Sequence, residues 1–134
     1  MTLWRKRTGF EQVAVIGLDH IQLAIPEGGE GDARAFFAGI LGMNEIAKPA
    51  NLSATGCWFE SGVLSLHIGV DPNFRPARKA HPALLVDDIA ALEDALLAKG
   101  YPVRADKPIE GYLRFFTEDP FGNRIEIMQR TVSD

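Results

Sequence analysis

Three histidines and one glutamate stand out as residues whose types and positions could do chemistry: His20, His67, His81 and Glu126. His20, His67 and Glu126 sit in stretches where polar and aliphatic residues alternate, and His81 opens an apolar run. Ile21, Leu23 and Ile25 follow His20, Leu66 and Ile68 flank His67, and Ile125 and Ile127 flank Glu126. Alternation of this kind sends aliphatic side chains to one face of a strand and the others to the opposite face. Three imidazoles and a carboxylate on one concave surface would form a ligand set for Zn, Ni, Mn, Co or non-haem Fe. Taken singly, each has a plainer reading. A histidine on a strand is commonly a hydrogen-bonded structural or surface residue, and a lone glutamate on an open sheet face is solvated.

The elements that would position these residues come in two rounds. Strands are expected at Leu18 to Ile25, Met43 to Ala47, Thr55 to Glu60 and Val63 to Gly69, with a helix capped by Asp32, running through Phe36, Phe37, Ile40 and Leu41, and closed by Gly42. The pattern then restarts. His81 to Val86 reads as a strand, Asp88 caps a helix carrying Ile89, Leu92 and Leu96, Gly100 closes it, and strands follow near Pro102 to Arg104, Tyr112 to Thr117 and Arg124 to Met128. His20 and His81, Gly42 and Gly100, and His67 and Glu126 recur at a spacing of about 60 residues, which identifies an internal repeat. An α+β fold of two paired βαβββ modules follows. The boundaries are an arm at 1–16 that is either loose or docked on a partner subunit, modules at 17–70 and 80–130, and a proline-broken linker at 71–79. The turn Asp119-Pro120-Phe121-Gly122-Asn123 precedes the last strand and would aim Glu126.

At 134 residues with net charge -4 and no long run of either sign, the chain is a poor candidate for nucleic acid or anionic membrane surfaces. No apolar segment has the length of a membrane span, and no signal peptide is read, so a soluble cytoplasmic protein is expected. Cys57 is the lone cysteine and reads as a small core residue.

The stretches Leu18 to Ile25, Phe36-Phe37 through Leu41-Gly42, His81 to Asp88, and Asp119 to Glu126 resemble landmarks of the vicinal oxygen chelate superfamily, also called the glyoxalase/bleomycin resistance/extradiol dioxygenase superfamily. The resemblance spans Ile16 to Gln129. It implies a half-open mixed β-barrel around a divalent metal, in a homodimer acting on a small molecule. Ligand positions carry over onto His20, His67, His81 and Glu126, and His20, His81 and Glu126 make the common two-His, one-carboxylate set. His67 departs from the glutamate typical of glyoxalase I. Fosfomycin-modifying thiol transferases fit imperfectly, since they carry a further C-terminal anion-binding segment.

The chemistry expected is Lewis-acid polarisation of a substrate oxygen, as in an isomerase, lyase, dioxygenase or transferase, with Glu126 as the candidate catalytic residue. Gln22, Trp58, Tyr112 and Arg114 are candidate substrate contacts, Arg114 by pairing with a carboxylate. The alternative is a metal-free dimer that sequesters a drug or metabolite.

Overall fold

A computed structural model describes residues 4, 8, 9 and 12–131. The arm expected at 1–16 falls largely outside them, and residues 12–20 carry no regular structure. Val13, Val15, Ile16 and Leu18 are all exposed.

The first module runs β1 (Ile21–Ile25), α1 (Glu30–Arg34), β2 (Asn44–Ile46), β3 (Cys57–Ser61) and β4 (Leu64–Val70). The second runs β5 (Ala83–Leu85), α2 (Ile89–Ala98), β6 (Tyr112–Glu118) and β7 (Arg124–Arg130). One sheet has the order β1-β4-β3-β2 and the other β5-β7-β6. Each is mixed: β1 lies parallel to β4 and β5 to β7, while the remaining pairs are antiparallel. Neither sheet closes into a barrel, and β1 and β5 end on open edges.

Three expectations change. The first strand begins at Ile21 and not Leu18: the register Ile21 to Leu66, carried back, would set Leu18 against Val63, in the β3–β4 turn. The strand expected at Pro102 to Arg104 shrinks to one bridge, in which Arg104 and Phe116 exchange both backbone hydrogen bonds; Pro102 has no N–H to extend it. The first helix starts at Glu30, with Gly29 as its N-cap, so Asp32 lies in the first turn. There Asp32 complements the helix dipole.

From Ala35 to Ile40 this helix widens into a π-helical turn, and the Leu41 N–H donates to the Phe36 carbonyl five residues back. An α-helix would rotate consecutive residues about 100° apart. Here both Phe36 and Phe37 are fully buried, their rings 5.0 Å apart and edge-on. Gly42 and Gly100 end the two helices at φ of 71° and 85°, a conformation that L side chains adopt only at a cost. Asp88 caps α2 as expected, its carboxylate accepting from the Ala91 N–H at 3.1 Å.

The core lies on the helix side of both sheets. Ile25, Phe59, Leu66 and Ile68 supply it from the first, and Phe115, Ile125 and Ile127 from the second. Cys57 joins it, and burial pushes its thiol up to about 11, so it is inert packing. The opposite faces hold His67 and Trp58 on one sheet and Glu126, Arg114 and Phe116 on the other, by the strand registers.

The turn before β7 ties the modules together. Asp119 Oδ1 accepts from the N–H groups of Phe121 and Asn123, both at 2.9 Å, and Oδ2 accepts from Asn123 Nδ2 at 2.8 Å. Asn123 Nδ2 also donates to the Ala24 carbonyl on β1 at 2.8 Å, and Asn123 Oδ1 accepts from the Ala77 N–H of the linker at 2.9 Å. Phe121 closes over the start of α1 so tightly that a Cβ on Gly29 would lie 2.9 Å from its ring.

Candidate metal site

Glu126 is held at 9% side-chain exposure in the middle of β7. Its register partners are Phe116 on β6 and Ala83 on β5. One carboxylate oxygen, Oε2, accepts from Arg114 Nε at 2.8 Å, and the other, Oε1, lies 3.1 Å from His81 Nε2. Burial alone would raise the Glu126 carboxyl, but Arg114 and His81 more than offset it and hold the group below the usual carboxylate range. Arg114 is itself fixed, with Nη1 donating to the Lys107 carbonyl and Nη2 3.8 Å from Asp106.

His81 Nδ1 lies 2.9 Å from the Lys79 carbonyl. A carbonyl only accepts, so Nδ1 carries the proton, and in the neutral ring the Nε2 lone pair faces the Glu126 carboxylate. Two acceptors at this distance need a proton or a cation between them. The donor set of imidazole nitrogen and carboxylate oxygen suits a divalent metal, and the carbonyl behind Nδ1 fixes the tautomer in the manner usual for metal-binding histidines.

On the other sheet, His20 Nδ1 lies 2.8 Å from Asp19 Oδ2. The adjacent carboxylate thus orients the ring and leaves Nε2 as an outward-facing acceptor. His20 stacks on His67 (centroids 4.0 Å apart, planes at 18°), and His67 stacks on Trp58 (3.7 Å, 4°). The result is a three-ring pile. Burial first, and His20 second, lower the pKa of His67 below the ordinary histidine value.

The four metal-ligand candidates therefore fall into two pairs, His81 with Glu126 and His20 with His67. Among the described residues of one chain, no group of three or more His, Cys, Asp or Glu side chains is close enough to hold a metal ion. His20 and His81 lie just before their strands, not within them. Of the substrate-contact candidates, Trp58 is occupied by His67, Arg114 by Glu126, and Tyr112 lies at the far end of β6 opposite Arg130. Gln22 leans over Gly69, where an added Cβ would clash with its side-chain nitrogen. It also lines a cavity of about 340 Å³ that opens between β1 and His81, together with Ala24, Arg75 and Pro82.

Sequence reasoning missed Asp19, whose position beside His20 was the available signal, and the ties made by Asn123, which was read only as a turn former.

The family profile of the glyoxalase/bleomycin resistance protein/dioxygenase superfamily matches residues 17–127. The chain belongs to this superfamily. A glyoxalase family protein from Bacillus anthracis is 43% identical, with a TM-score of 0.83, over 90% of this chain and all of that one. The glyoxalase-type fold is also shared at low identity. The fosfomycin resistance protein FosX from Listeria monocytogenes, complexed with Mn(II) and 1S,2S-dihydroxypropylphosphonic acid, superposes with a TM-score of 0.73 at 17% identity, covering 89% of this chain and 95% of that one. The antibiotic-binding protein TnmS3 from a Streptomyces species gives 0.64 at 21% identity, over 90% and 100% of the two chains. No curated protein matches the sequence. Among the described residues no helix is long and apolar enough to cross a membrane.

Proposed function

We propose that the protein is a metal-dependent, glyoxalase-like enzyme in which His81, Glu126 and His20 hold a divalent ion, Zn, Ni, Mn, Co or Fe, at which a small oxygenated substrate reacts. The observation that carries this reading is the His81–Glu126 pair, an imidazole nitrogen and a carboxylate oxygen 3.1 Å apart with each residue braced from behind. When bound, the ion supplies Lewis-acid polarisation of a substrate oxygen, the step common to isomerases, lyases, dioxygenases and transferases of this type.

The chain's own residues do the rest. Lys79 and Asp19 orient the two imidazoles, and Arg114 fixes the carboxylate. His67 backs His20 as the middle ring of the stack, a positioning role and not ligation. Gln22 reaches the substrate from the cavity beside His81. With two ligands on one sheet and the third on the other, and no group of three among the described residues of one chain, the complete site forms in a homodimer, with His20 coming from the second subunit.

Metal content of untagged protein, purified without added metal, tests the proposal. Near-stoichiometric divalent metal that is lost in His20→Ala and in Glu126→Ala is the expected result. Metal-free protein, or full retention in either variant, sinks it.

A further inference from the structure

Arg124 opens β7 on the same face as Glu126, one alternation away along the strand. Its guanidinium carbon lies 4.0 Å from the centroid of the Phe116 ring, and its backbone N–H donates to the Ala77 carbonyl. The strand register sets Glu118 directly opposite, where a cross-strand ion pair would ordinarily form. That carboxylate is taken by Arg104. Among the described residues Arg124 has no carboxylate partner, whereas Arg34 pairs with Glu45 and Arg114 with Glu126.

Phe116 joins this cation to the site. His81 meets the same ring edge-on, its centroid 5.2 Å from that of Phe116, and Arg114 lies 5.1 Å from that ring. A guanidinium lying on an aromatic face keeps its N–H groups pointing outward in the ring plane, where they form a preorganised fork for two oxygens of one anion. Successive same-face positions on a strand are about 6.6 Å apart. The Arg124 and Glu126 side chains thus start about 6.6 Å apart on one face, a span that one small substrate can bridge.

We propose that Arg124 is the specificity-determining residue of the site and binds an oxyanion, a carboxylate or phosphate-type group, at the end of the substrate remote from the reacting oxygens. The substrate class is then a small vicinally oxygenated acid and not a neutral diol, ketone or arene. This rests on the proposed metal site for the position of the reacting end.

Titration calorimetry of the full chain, manganese-loaded, with glycerol 3-phosphate, glycerate and neutral glycerol as probes tests the proposal. At least one of the two anions should bind tenfold or more tightly than glycerol. Arg124→Gln should erase that advantage while leaving manganese uptake and glycerol binding unchanged, and Arg124→Lys, which keeps the charge without the fork, should fall between. Anion binding by Arg124→Gln equal to the parent, or no preference for either anion over glycerol in the parent, overturns it. If the parent takes up neither manganese nor zinc, nickel, cobalt or iron, the metal reading fails by itself. Inorganic phosphate titrated into chelator-stripped protein then decides for Arg124: binding lost in Arg124→Gln upholds its role, and its absence from the parent or persistence in the variant removes it.

Discussion

Glu126 is gripped from two sides, with Arg114 Nε 2.8 Å from one oxygen and His81 Nε2 3.1 Å from the other. Arg114 and Glu126 have side-chain exposures of only 10% and 9%. The carboxylate therefore cannot swing toward solvent without abandoning a buried cation.

Loss of that cation should be felt in both fold and site. Arg114→Met is expected to destabilise the protein by about 3–5 kcal/mol, the usual cost of leaving one member of a buried pair alone. Metal affinity, read by competition with a chromogenic chelator, should drop about 10–100-fold, as for other residues that brace a ligand. Unaltered metal affinity in a folded Arg114→Met variant would show that Glu126 needs no brace.

A shared site makes a sharper prediction. Single variants His20→Ala and Glu126→Ala should each be devoid of bound metal, yet unfolding and refolding an equal mixture should restore about a quarter of the parent's metal sites, because half of the dimers are mixed and each of those regains one intact site. Ligands drawn from a single chain would give no recovery.

His67 should make the metal-free protein acid-sensitive. Its pKa is lowered on folding, so the unfolded chain binds the proton more readily. Stability is then fully present above the ordinary histidine value of about 6.5 and declines as pH falls below it, levelling off at the folded value. One such group contributes a slope of no more than about 1.4 kcal/mol per pH unit. His67→Phe, which keeps the ring pile without the titration, should flatten the dependence between pH 7 and 5 in urea denaturation of chelator-treated protein, and identical slopes for the two proteins would refute this.

Asn123→Ala should cost about 2–4 kcal/mol, because two half-buried backbone groups and Oδ2 of Asp119 lose their partner at once. Asn123→Asp should cost more, by turning a donor beside Asp119 into a second acid. Burial already raises the Asp119 carboxyl above its usual range, which shows how little room there is for further negative charge. Chemical denaturation at pH 7 orders the three proteins, and parity of either variant with the parent would mean that the turn is held by something else.

Alternation revealed the strands and the faces of His67 and Glu126, because a period of two survives any tertiary arrangement. The ends of strands were less legible. Leu18 and Asp19 lie next to the β1 alternation but invert it, with Asp19 on the aliphatic face, and β4 turns away before it can pair with them. The π-helical turn was hidden because the Phe36-Phe37 doublet fits an α-helical stripe equally well, in which positions i+3 and i+4 are adjacent and both face the core. Arg114 was readable as a cation on the site face, but only the register that sets Phe116 against Glu126 reveals that this carboxylate already occupies it. The sequence could mark four ligand-type positions. It could not say that one chain gathers them only two by two.

The tie between Asn123 and Ala24 spans 99 residues of chain. During synthesis, β1 and β4 are both made before the side chain that fastens the outer end of β1. Domains fold as units while the chain emerges, so the first sheet must wait with that edge unsecured. Completion of the pair of modules depends on a turn made 99 residues after the strand it fastens.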